Sequence, residues 1–379
     1  MLLETLQYTK KSGWSAPFPD YDSENTLIII FAAPEFIDDQ APIKELVKHY
    51  PASKIIGCSS SGEINDSHIS DKSLSVAITK FDKTKIKSAS IAITDAEQSY
   101  NAGESISEKL MEKDLRSIFV LSEGLQINGS ELVRGLNSKN KNNAVITGGL
   151  AGDGSKFKKT WIIIDGVIEL HKVVAVGFYG NHVRVGHGSR GGWDIFGNER
   201  RITRSKNNVL YELDGKSALT LYKEYLGEKA AGLPATGLLF PLSIRKDKND
   251  TRQLVRTLLA IDEKEGSLTF AGDVPMGSLA QLMRANFERL IIGATEAGKS
   301  ALLPENKNNP LLLIAISCVG RRLLLGERTV EEVESVMEIF PSGTKQIGFY
   351  SYGEISPFAS GDCDLHNQTM TLTSITEEV

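Results

Sequence analysis

The chain alternates short apolar runs with stretches whose apolar residues recur every three or four positions. Residues 27–31 are five apolar residues in a row, the pattern of a strand covered on both faces. Residues 42–50 follow with helical spacing, and Pro42 suits a first helical turn. Further strands are predicted at 54–57, 74–79, 86–94 and 117–121. A helix is predicted over 128–137, with Asn128 as its cap and Glu131 three residues on. Residues 145–147, runs near Trp161 and Val167, and residues 173–179 read as strands.

The second half repeats the style. Residues 214–226 predict a helix closed by Gly227. Ser278 predicts the cap of a long helix carrying Leu279, Leu282, Met283, Leu290, Ile291 and Ala294 on one face and ending near Gly298. Residues 311–317 predict a buried strand. Thr329 and Glu332 read as a capping box opening a helix through Ile339. Strands are predicted at 346–350 and 369–373. Strands spaced by helices give an α/β fold with mixed sheets.

A repeat underlies this order. Residues 56–64 and 347–355 share the pattern I-G-x-x-S-x-G-E-I, each in a strand–helix–strand context. The chain therefore reads as two related α/β sandwich halves, an internal duplication, divided near residue 180 into domains 26–180 and 181–375. The repeated turn has two readings. It is a tight turn braced by Ser and Glu, or it lines a site.

Composition narrows the function. With 379 residues, 41% hydrophobic and 24% charged, the chain is an ordinary globular protein of two or three domains. A formal net charge of -5 argues against a nucleic-acid-binding face. Cys58, Cys318 and Cys363 are too scattered for a disulfide framework or a zinc site. No apolar run is long enough to span a bilayer, and the first fifteen residues carry no signal-like core. A cytoplasmic location without membrane insertion is the expectation.

Several motifs bear on chemistry. The run from Gly148 to Gly154 fails as a phosphate loop because Ser155 stands where Lys is needed. It fails as a dinucleotide fingerprint because Phe157 replaces the third Gly. The turn at Gly57 is not a nucleophile elbow, since Ser61 occupies the closing Gly position. Cys58 remains a candidate thiol nucleophile with His366 as base, against the plainer reading of a packed cysteine. Arg321 and Arg322 follow a buried strand, where a guanidinium can clamp a carboxylate or form a surface ion pair. His366, Asn367 and Thr369 concentrate hydrogen-bonding groups before the last strand. No CxxCH motif is present, and a haem held by one axial His leaves no sequence pattern.

Together these residues resemble the FIST family, a two-part sensory module of signal transduction. The resemblance rests on Gly57–Ile64, Gly148–Asp153, Ala271-Gly272-Asp273, Ser317-Cys318-x-Gly320-Arg321, Gly353–Pro357 and Leu365–Thr369, and spans residues 26–373. It implies a non-catalytic sensor that binds a small ligand between its halves. Only six residues follow Thr373, so the output is expected in a separate protein such as a histidine kinase. Free-standing members of the NosP type bind haem b, sense nitric oxide and control a kinase of a two-component system. The resemblance thus admits haem, with His366 as metal ligand and His182 and His187 as rivals, or an amino-acid-like molecule. The ligand-binding set it implies is Cys58, Ser59, Ser60, Gly62, Glu63, Arg321, Gly353, Glu354, His366, Asn367 and Thr369. A homodimer is admitted. The alternative is a thiol or serine acyl-transfer or hydrolytic enzyme using Cys58.

Overall fold

The computed structural model describes residues 1–250, 254–303, 310–358 and 362–378. Its α/β architecture has three mixed sheets arranged around one apolar core, with helices on their outer faces. Helices α1 (Ala41–His49), α2 (Ser99–Leu110), α3 (Gly129–Ser138), α4 (Ala218–Leu226), α5 (Phe287–Ala301), α6 (Val319–Leu325) and α7 (Thr329–Met337) follow in chain order. Asn128 caps α3 as its sequence predicts, accepting a hydrogen bond from the Glu131 amide.

The same unit recurs three times. In each, two parallel strands are joined across a helix: Thr26–Ala32 with Lys54–Ser59, Leu115–Ser122 with Val145–Leu150, and Leu312–Cys318 with Lys345–Ser351. A return strand then pairs antiparallel with the first of the two: Ser73–Lys80, Lys172–Tyr179 and Met370–Glu377. A leading strand pairs with each return strand: Leu2–Thr9, Lys85–Ala92 and Val183–Arg190. The two copies of the repeated turn lie in the first and third units. The middle unit carries Gly148-Gly149-Leu150-Ala151-Gly152-Asp153 at the same place.

Between its parallel pair and its return strand, each unit sends out a hairpin that completes a neighbour's sheet. Glu63–Asn65 pairs with the third unit's Lys345–Ser351 strand. Ile162–Ile164 pairs with the first unit's Lys54–Ser59 strand. Gly353–Pro357 pairs with the second unit's Val145–Leu150 strand, and Cys363–His366 pairs back onto it. The turn expected to divide the halves falls at Gly180–His182, between the second and third units.

One glycine explains why the second strand of each pair begins alike. At Gly57, Gly148 and Gly348 a Cβ would stand 2.2, 1.8 and 2.0 Å from the carbonyl oxygen of Ile30, Val120 and Ala315. Each oxygen belongs to the neighbouring parallel strand, so close approach excludes any side chain. The inner faces of the three sheets supply Phe31, Cys58, Phe119, Val176, Ile314 and Phe349 to the shared core. Phe31 and Phe349 stack across it with ring centroids 4.6 Å apart.

The described residues between Arg190 and Phe287 form a smaller antiparallel domain with its own core around Leu210, Tyr222, Leu242 and Phe270. Three expectations change in this half of the chain. Leu279–Arg284 is a strand of that domain, and α5 starts afresh with Asn286 as its cap. Apolar residues at 279, 282 and 283 fit one helix face, but pairing with Leu242–Arg245 decides the outcome. Helix α4 begins at Ala218, capped by Ser217, because residues 214–217 turn between strands. The capping box at Thr329 does not form either, since Glu332 is drawn inside to Arg321.

Candidate functional site

The carboxyl ends of the parallel strands converge at one end of the core, which places most of the expected residues together. Glu63 is buried and accepts hydrogen bonds from Ser60 Oγ, Ser73 N at 3.0 Å and Ser73 Oγ at 2.8 Å. Glu354 repeats the arrangement with Ser351 Oγ at 2.6 Å, Thr369 Oγ1 at 3.0 Å and Thr369 N at 3.3 Å. Burial raises both carboxyls, Glu63 to about 7 and Glu354 to about 8, against the lowering effect of these hydrogen bonds.

The middle unit has Ala151 in place of the serine and uses Asp153 differently. Asp153 accepts from the amides of Phe157 at 2.9 Å and of Lys158 and Lys159 at 2.8 Å each, and from the Tyr352 hydroxyl. Tyr352 belongs to the third unit's turn, so this aspartate joins two units. Ser59 Oγ accepts from the Trp161 amide and anchors the second hairpin. Gly62, with φ +130°, lies against Arg322, whose guanidinium donates to Ser61 O and to both oxygens of Asp71.

Arg321 is completely buried. It pairs with Glu332 and donates to the carbonyls of Gly191, Leu290 and Gln368. Ser317 Oγ holds the other Glu332 oxygen at 2.6 Å. Gly191 leads into the small domain and Leu290 follows it, so the guanidinium ties both connections to the last sheet.

His366 sits opposite Glu354 across the third hairpin. Its Nε2 donates to Ser356 O at 2.9 Å, the ring lies edge-on to Phe358, and burial lowers its pKa. Asn367 donates to His366 O while its Oδ1 meets no partner. Gly353 packs against Leu150 and Leu365. Cys58 faces the central core, and burial pushes its thiol well up.

Two groups outside the expected set stand out. Gln368 is buried in a left-handed conformation (φ +61°), and neither atom of its carboxamide has a hydrogen-bond partner. A non-glycine residue at positive φ leaves no mark in the sequence, although Gln368 lies within the polar 365–369 run. His187 lines a cavity of about 460 Å³ between units, together with Val145, Ile146, Pro357, Phe358 and Cys363. Val145 also borders a second cavity of about 520 Å³, which Arg116 and Arg184 line. Pro357 and Cys363 pair at the far end of the hairpin that carries Glu354 and His366. Among the described residues no cluster of three or more His, Cys, Asp or Glu could hold a metal ion. None of the described helices is long and apolar enough to cross a membrane.

Interleaved α/β units with a cavity between them, and a polar junction at the other end of the hairpin that borders it, have the build of a sensory module. The chain belongs to the FIST family: the FIST N domain matches residues 26–216 and the FIST C domain residues 218–357. FIST domains sense small ligands in signal transduction. A protein of Methanocaldococcus jannaschii described as uncharacterized is 27% identical over 361 residues, covering 81% of this chain and 65% of the relative. The chain thus spans less than two thirds of that relative's length. The fold also aligns with cyanuric acid hydrolase from A. caulinodans over 100% of this chain and 99% of that one, at 8% identity and a TM-score of 0.37. That similarity is too low to bear on function.

Proposed function

We propose that the protein is a small-ligand sensor that passes its state to a separate signalling protein such as a histidine kinase. The observation that carries this reading is the cavity of about 460 Å³ bordered by Pro357, Phe358 and Cys363 of the third hairpin. A ligand there touches Pro357 and Cys363. At the other end of the same hairpin are Glu354 and His366, next to Gln368 and the Arg321 tie. Ligand binding that favours one hairpin position shifts the population of arrangements a partner can read.

Haem is one ligand this site suits, through His187 rather than His366. His366 has its Nε2 engaged by Ser356 O within a closed environment. His187 lines the open cavity, whose walls are apolar at Val145, Ile146, Pro357 and Phe358 and polar at Asn140, Asn143 and Asp362, and burial lowers its pKa, which keeps the imidazole neutral and able to ligate. Arg116 and Arg184 would meet carboxylate groups from the adjoining cavity. When bound, haem supplies an iron centre able to take nitric oxide. For an amino-acid-like ligand the same arginines are the carboxylate partners: although Arg116 is hydrogen-bonded to Asn181 and Arg184 to Glu378, both reach the cavity surface, whereas Arg321 is completely buried on Glu332 and three carbonyls. The non-enzymatic reading is supported by the thiol of Cys58 facing the apolar core.

An absorption titration with hemin tests the proposal. A sharp Soret band saturating at one per chain, lost in His187→Ala and kept in His366→Ala, supports haem at this site. A broad, non-saturating band removes haem and moves the search to amino acids, read by thermal shift. If neither hemin nor any amino acid raises the melting temperature, the sensor reading falls.

A further inference from the structure

We propose that residues 155–159 form a docking surface for a partner protein that presents carboxylates, a proposal that rests on the sensor reading because such a protein must hand its state on. The sequence here is Ser155-Lys156-Phe157-Lys158-Lys159. All five residues are exposed, Phe157 to 50%. Among the described residues the three ammonium groups make no ion pair. A chain of net charge -5 thus shows three unpaired cations around one open aromatic face.

The loop is held in shape rather than left loose. Asp153 accepts the amides of Phe157, Lys158 and Lys159. Phe157 adopts φ +50°, a conformation that is uncommon for a bulky residue and needs outside support. Its ring lies nearly parallel to that of Tyr352, at 12° and with centroids 4.5 Å apart. Tyr352 in turn donates to Asp153 and to Gly154 O at 2.9 Å. The loop belongs to the second unit and its platform to the third. Any shift of the third hairpin, which begins at Gly353, moves the platform and with it the displayed face.

The chemistry favours a protein over other anionic partners. Phe157 lies flat on Tyr352 with half its surface covered, which suits contact with an apolar notch and not insertion into a bilayer. Three lysines alone supply too little attraction to an anionic membrane for stable attachment. Nucleic acid needs a wider basic surface than three lysines in a chain of net charge -5 supply. Carboxylates around an apolar contact match both features of the loop, and preorganisation lowers the entropy lost on docking.

The test uses the full chain and fluorescently labelled poly-L-glutamate, read by anisotropy at low salt. Saturable binding is expected, at least tenfold weaker in the Lys156→Glu, Lys158→Glu, Lys159→Glu triple variant and several-fold weaker in Phe157→Ala. The triple variant Lys11→Glu, Lys48→Glu, Lys264→Glu carries the same charge change elsewhere and should bind like the parent. Circular dichroism checks that each variant is folded. Equal weakening in both triple variants overturns the proposal, as does parental affinity in the loop variant. Binding to phosphatidylserine vesicles that depends on the loop, with poly-L-glutamate binding unaffected, also overturns it in favour of a membrane. The probe needs no bound ligand, so this result stands apart from the hemin and amino-acid titrations. Those can fail while the docking surface holds, and the reverse.

Discussion

Glu63 and Glu354 are joined through consecutive residues of one strand. The carbonyl of Tyr350 accepts from Ser61 N at 2.8 Å and its amide donates to Gly62 O at 2.9 Å, and the next residue, Ser351, donates to Glu354. The two buried carboxyls thus belong to a single junction, although they come from opposite ends of the chain.

That junction gives stability a pH dependence. Both folded values, about 7 and about 8, lie above the ordinary 4.5 of an unfolded glutamate. The folded state therefore binds more protons. The stabilising contribution is complete below 4.5 and is lost as pH rises through 7 to 8. We expect the melting temperature to fall between pH 5 and 9, and to fall less in the Glu63→Gln, Glu354→Gln double variant. Parallel melting profiles would refute the assignment.

Glu377 acts in the opposite sense. Burial alone would raise its carboxyl, but the amides of Asp82, Lys83 and Thr84 donate to it and bring it down to about 2. Its contribution is present above the unfolded value and lost as pH falls toward 2. Glu377→Gln should reduce stability at pH 6 and make little difference near pH 2, which chemical denaturation at the two values will show.

Arg321 and Arg322 are neighbours with different roles. Arg321→Met leaves the buried Glu332 unpaired and frees three carbonyls, so a loss of about 3–5 kcal/mol is expected in urea unfolding. Arg322 is partly exposed and Asp71 largely so. Breaking that pair with Asp71→Asn should cost no more than about 1 kcal/mol.

The three strand glycines tolerate no side chain. Alanine at Gly57, Gly148 or Gly348 should destabilise by roughly 1–3 kcal/mol or more, since a backbone oxygen cannot move aside. Gly298 in α5 is the contrast, because a Cβ there lies no nearer than 3.4 Å, to Ile339. Gly298→Ala should be neutral or gain up to about 1 kcal/mol from helix propensity.

Much of this was legible in the sequence because it is local. Apolar runs located the buried strands, Asn128 marked the start of α3, and the repeated I-G-x-x-S-x-G-E-I located both carboxyl turns. The third copy was hidden because Ala151 replaces the serine and the glutamate is missing. What survives there is Gly148, kept for close approach. Pairing between distant segments was not legible: nothing local in residues 63–70 says that they complete a sheet with residue 347. Nor could an arginine after a strand reveal whether it meets a ligand or Glu332. His187 stands in no motif, and only the cavity draws it out.

The exchanged hairpins also govern how the chain can be built and cut. The sheet of the second unit lacks its outer strands until Gly353–Pro357 and Cys363–His366 exist, and residues 63–70 wait for the strand at 345–351. The protein is a closed braid rather than two beads. Severed between the stretches matched by FIST N and FIST C, neither piece has all its strands, and each carries strands the other lacks. Such fragments should stay unfolded or aggregate when made singly and regain native structure when made together.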